Sequence, residues 1–192
     1  MRYRSLTMFV AAALSISDAW AHPGHFASAT FAFGFQHPWV GLDHALAAVA
    51  VGLWASAQQT GRRWTAPVLF VASMVAGALT GHALGAPSFV DAGIAGSLVL
   101  LGALLLAERR LASWVSLTGI ALFAIMHGLA HGAEAPSTGS WPEYLAGLAA
   151  GTMLLHCVGL GSGHVVRRHA PRLWPVLAIA CSVAGAWLLA TS

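Results

Sequence analysis

The chain has 192 residues, 58% of them hydrophobic and only 8% charged, and its mean hydropathy is +0.74. A water-soluble domain carries about 25% charged residues, so this composition excludes a soluble globular protein and points to an integral membrane protein. The nine basic residues are all arginine and stand against six acidic ones; they do not argue for nucleic acid, because their placement has a simpler cause, given below.

In chain order, Met1 to Ala21 reads as a secretory signal peptide. Arg2 and Arg4 make a positive start, Leu6 to Ile16 an apolar centre, and Ala19-Trp20-Ala21 a small-residue cleavage site. The competing reading is an uncleaved anchor, but the apolar centre is short for a bilayer span. Cleavage would leave His22-Pro23-Gly24-His25 as the new N-terminus. Phe26 to Gln36 is apolar and uncharged yet short of a span. It is expected to lie in the interface or to fold back against the bundle.

Six spans follow, at roughly Pro38–Ala57, Thr65–Leu84, Val90–Ala107, Ala112–Ala133, Trp141–Gly161 and Leu173–Ala190. Each is close to the ~20 residues that a membrane helix needs. Pro38 is expected in the first turn of the first span, where its missing N–H would be unpaired anyway. Continuous apolar runs disfavour strands, which in a membrane barrel would alternate. The fold class is therefore all-α, a six-helix membrane bundle over residues 22–192 after a cleavable signal peptide at 1–21.

The arginines test this layout. With the mature N-terminus outside, Arg62 and Arg63, then Arg109 and Arg110, then Arg167, Arg168 and Arg172 all fall in cytoplasmic connections. The connections around Gly85–Phe89 and Glu134–Ser140 carry none. This is the positive-inside pattern, and it places the mature C-terminus outside as well. Gly77…Gly81, Gly128…Gly132 and Gly147…Gly151 have the spacing that lets membrane helices pack closely. Trp39, Trp64, Trp114, Trp141 and Trp174 lie near span ends and read as interfacial anchors. The stretch Gly77 to Pro87 weakly echoes Gly128 to Pro136, too briefly to establish an inverted repeat. Cys157 and Cys181 sit in apolar runs and read as small buried thiols rather than a disulfide.

Ionisable groups inside spans are costly and tend to be functional. His37, Asp43 and His44 are expected at the outer start of the first span, and His127, His131 and Glu134 at the outer end of the fourth. Positions 127, 131 and 134 are four and three apart, so they share a helical face. The end of that helix carries partial negative charge, which favours a cation. Imidazole and carboxylate together suit Ni²⁺, Co²⁺, Zn²⁺ or Cu²⁺. Asp43 and His44 are adjacent, so an ideal helix points them apart. Either one orients the other or the helix is irregular there. His22 and His25 are further candidate ligands at the mature N-terminus. His82, Asp91 and Glu143 map to the same side. His156, alone in an apolar span, reads as a hydrogen-bonded packing residue, and His164 and His169 as solvated members of an arginine-rich loop.

The motifs His37-Pro-x-x-Gly41-x-Asp43-His44 and His127-Gly-x-Ala-His131-Gly-x-Glu134, with the start His22-Pro23-Gly24-His25 and six spans, resemble the HupE/UreJ family of nickel/cobalt permeases. The resemblance implies uptake of Ni²⁺, or Co²⁺ in some members, across the bacterial cytoplasmic membrane for hydrogenase or urease maturation. It implies metal roles for His37, Asp43, His44, His131 and Glu134, with His127 close behind. On this reading the protein is a permease, not an enzyme. It has no prosthetic group; the ion is its cargo and the lipid bilayer its surroundings. A homo-oligomer stays open. The alternatives are an intramembrane zinc-dependent hydrolase and a haem protein with paired axial histidines.

Overall fold

The structure, a computed structural model, describes residues 28–107 and 110–191. The signal peptide, His22, His25 and Arg109 lie outside the described residues. Among the described residues seven α-helices run α1 Phe31–Val40, α2 Leu42–Ser56, α3 Thr65–Leu84, α4 Val90–Ala107, α5 Ser113–Ala133, α6 Trp141–His169 and α7 Trp174–Thr191. Among the described residues the extended pairing is a single bridge, Ala29 to Gly139. Five of these described helices are long and apolar enough to cross a membrane, and α1 with α2 makes a sixth span if the bent pair counts as one. The expected helical membrane bundle is therefore present, with its first span broken.

The break differs from the expectation for Pro38. The proline lies in the last turn of α1, not at the start of a helix. Its missing N–H leaves the Gly34 carbonyl without the usual helical donor. Three residues on, Gly41 takes an extended backbone (φ −78°, ψ 114°). The chain turns through 87° and restarts as α2. Thr30 caps the new first helix, its hydroxyl accepting from the Phe33 amide at 3.2 Å. The apolar stretch before the first span is thus a helix folded back against α6, one of the two expected outcomes.

A second difference concerns α6. It runs on to His169, so His164 and the arginines at 167 and 168 lie on the helix rather than in a loop. Its 29 residues span about 43 Å, well beyond the ~30 Å hydrocarbon core. The arginine-bearing end therefore projects past the apolar layer, and His164 and His169 are exposed as expected.

Helices pack in pairs: α3 along α5, α2 along α6, α4 along α7, and α1 on α6. The α3–α5 pair is closed by glycine. A Cβ at Gly77 or Gly81 would strike the backbone of Ile125 or Leu129, and one at Gly128 or Gly132 the backbone of Met74 or Ala78. Gly147 and Gly151 do the same against α1 at Phe31 and Phe35. In lipid such close approach replaces the hydrophobic drive available in water. Trp39, Trp64 and Trp114 are exposed, as anchors should be. Trp174 is not: it is buried, and its indole N–H donates to the Leu105 carbonyl at 3.0 Å. Cys157 and Cys181 are free, half-buried thiols.

Candidate metal-binding site

The 87° break sets the site. His37 comes from the last turn of α1, and Asp43 and His44 from the first turn of α2. Opposite them, α5 presents His127, His131 and its C-terminal neighbour Glu134. The two groups meet at the arginine-poor end of the bundle. His37 Nε2 lies 3.3 Å from Glu134 Oε2. One ligand atom each from His37, His131 and Glu134 falls within 4.8 Å of the others. The ring centroids step inward from there: His37 to His131 4.9 Å, His131 to His44 4.3 Å, His44 to His127 5.0 Å. The two α5 rings are the buried ones, His131 at 3% and His127 at 2% exposure, while Glu134 is half-exposed and His37 and His44 lie between.

Hydrogen bonds fix which nitrogen two of the rings, His44 and His127, offer. Asp43 Oδ1 accepts from the His44 amide and from His44 Nδ1, both at 2.9 Å. A carboxylate only accepts, so Nδ1 carries the proton and Nε2 keeps its lone pair. Asp43 is thus the orienting partner of His44, and the helix is also irregular beside it; both sequence alternatives hold together. His127 Nδ1 donates to the Phe123 carbonyl at 2.9 Å, which likewise leaves Nε2 as the acceptor. His44 Nε2, His127 Nε2 and His131 Nδ1 are buried with no partner among the described residues. Each orphan of this kind costs about 1–3 kcal/mol, and those of His44 and His127 are lone pairs that a bound cation could use. Two carboxylates and the negative end of α5 supply the charge that a divalent cation would balance.

The six ligand candidates in the described chain are therefore brought to one place, though not into one coordination shell. His37, His131 and Glu134 form the tightest group, while His44 and His127 form a layer beneath it. His82, Trp141, Tyr144 and Phe70 complete the surroundings. His82 stacks on Trp141 at 4.1 Å, so Trp141 packs at the mouth rather than serving only as an anchor. Tyr144 is fully buried; its hydroxyl donates to the His131 carbonyl at 3.1 Å and its ring faces His37. Phe70 sets its ring against His127 at 5.6 Å and against His156 at 5.0 Å. The positions of Tyr144 and Phe70 have no sequence signal, because one aromatic residue in an apolar run resembles any other.

Comparison with known proteins came out consistently. Residues 10–188 match the family described as HupE / UreJ protein. Protein HupE of Rhizobium leguminosarum bv. viciae is 36% identical over 197 residues, covering 98% of this chain and 99% of its own. No solved structure matches.

Proposed function

The chain belongs to the HupE/UreJ family, and from that premise we propose that it is a permease importing Ni²⁺, with Co²⁺ as the alternative cargo, to supply hydrogenase or urease maturation. One observation carries the reading: His37, His131 and Glu134 converge within 4.8 Å at one end of a membrane bundle, above a second layer of lone-pair imidazoles. Neutral imidazole and carboxylate suit both ions. On this reading the site opens on the outer face of the bacterial inner membrane, both mature termini are outside, and His22 and His25 gather the ion before it enters. The arginine connections supply the orientation.

The hydrolase alternative needs a base free to activate a metal-bound water. Asp43 is committed to His44 and Glu134 to His37, an arrangement better suited to holding ligands. The deciding experiment is radiolabelled Ni²⁺ and Co²⁺ uptake into vesicles, with and without a pH gradient. Accumulation of neither ion would sink the permease reading. Arg62→Cys should label from the inside and Ser137→Cys from the outside; the reverse would overturn the orientation, and labelling from the same side the six-span layout.

A further inference from the structure

His156 sits deeper in the bundle than any residue of the outer cluster. It lies twelve residues into α6 from Tyr144, about 18 Å along the axis, and is wholly buried. Its Nδ1 donates to the Ala48 carbonyl of α2 at 2.7 Å. The hydrogen-bonded packing role expected from sequence is therefore present, but it uses only one nitrogen. A carbonyl accepts and never donates, so Nε2 holds its lone pair, and that atom is buried without a partner among the described residues.

Packing alone gives no reason for the second nitrogen. Ala48 lies inside α2, where its carbonyl already accepts a helical amide. It has no need of another donor. A hydrocarbon side chain would fill the same space without burying an orphan polar atom in a membrane span.

Position supplies the reason. The imidazoles run His37, His131, His44 and His127, and Phe70 then touches both His127 and His156. His156 is thus the next lone pair inward from the cluster, one aromatic ring away. Between the two levels, the Thr152 hydroxyl of α6 meets the Met74 thioether of α3 at 3.5 Å. A thioether and a hydroxyl are additional weak donors for a borderline divalent ion. Passage through a membrane needs sites that bind well enough to admit an ion and weakly enough to release it to the next.

We propose that His156 is an inner way-station that ligates the transported divalent cation through Nε2 after it leaves the outer cluster. The proposal rests on the permease reading and adds a second binding level to it.

The test uses full-length purified protein and two variants. In a Cys157→Ser/Cys181→Ser background, His156→Cys is titrated with Co²⁺. An ion that reaches position 156 should give a thiolate-to-cobalt charge-transfer band, absent from the background protein. In vesicles, His156→Gln should lower Ni²⁺ uptake at least tenfold at matched protein level, while equilibrium Ni²⁺ binding by the outer cluster stays within twofold of wild type. Wild-type uptake by His156→Gln overturns the proposal. So does loss of uptake without a band in His156→Cys, which would assign the residue to packing. If wild-type protein neither binds nor accumulates Ni²⁺ or Co²⁺, the permease reading itself has failed, and the inner station with it.

Discussion

Two pieces of chain face each other across the site, and they build it in opposite ways. Helix α5 is regular, and His127, His131 and Glu134 lie on one of its faces simply because they are four and three apart. The α1–α2 pair is irregular. His37 and His44 would sit on one continuous helix in an ideal span, but an 87° turn at Gly41 puts them on two helices that both look toward α5. The regular helix provides a fixed wall, while the broken one turns His37 and His44 toward it from two directions. A site lined from a helix break is also one where backbone at membrane depth can be non-helical, because it borders protein rather than lipid.

The most severe way to break this pairing is to remove one central ligand from each side. His44→Ala and His131→Ala should each abolish Ni²⁺ uptake, a loss of at least about 100-fold, while the protein still inserts and accumulates. Radiolabelled uptake at matched expression checks this. Normal transport by either variant would take that residue out of the site. A similar loss from both would show that the regular and broken sides serve one ion.

How much of this was legible in the sequence follows the same division. The spans and the α5 ligand face could be read directly, since apolar length and helical spacing are local properties. The α3–α5 contact was signalled by paired glycines, whose missing Cβ atoms permit it. The break could not be read. Pro38 fits the start of a helix as well as its weakened end, and Gly41 has no dihedral that only glycine adopts. The buried place of Trp174 and the second nitrogen of His156 depend on neighbours distant in sequence. No local pattern encodes those.

The wall can be displaced without touching a ligand. At Gly132 an added Cβ would press on the Ala78 backbone, which cannot rotate away. Gly132→Ala should cost about 1–3 kcal/mol through overpacking, seen as a lower unfolding temperature and reduced uptake together. Full stability would show that α3 and α5 are not held as closely as the structure has them.

On the broken side, Asp43→Asn keeps a hydrogen-bonding side chain but removes the charge that favours the protonated Nδ1 of His44. Loss of an orienting partner of this kind typically lowers metal affinity roughly 10–100-fold. Equilibrium Ni²⁺ binding should weaken by that amount with protein level unchanged. An unaltered affinity would mean that Asp43 does not orient a metal-binding ring.

Protons offer a separate probe of how the ion is driven. Only neutral imidazole ligates metal, so protons compete with the ion for the site. Uptake at subsaturating Ni²⁺ should fall on acidification and recover when Ni²⁺ is raised. A rise on acidification would instead make proton coupling the leading mechanism.

The finest probe of the comparison is Gly41→Ala. The glycine's backbone lies in the ordinary extended region, so alanine brings no dihedral penalty there. Its Cβ, however, would stand 3.0 Å from His44 Nδ1 and 3.1 Å from Asp43 Oδ1. Both atoms belong to side chains that can yield by a few tenths of an ångström, unlike the backbone that confronts Gly132. The displaced pair would leave its preferred rotamers at about 0.5–1 kcal/mol, which corresponds to roughly a two- to fivefold loss of Ni²⁺ affinity. Thermal stability should hardly change. Ni²⁺ titration alongside a melting curve separates the outcomes: weaker binding at constant stability places the fine tuning of the site at the helix break. A large drop in stability would instead make the break a rigid structural joint, as intolerant of added volume as the glycine seam between α3 and α5.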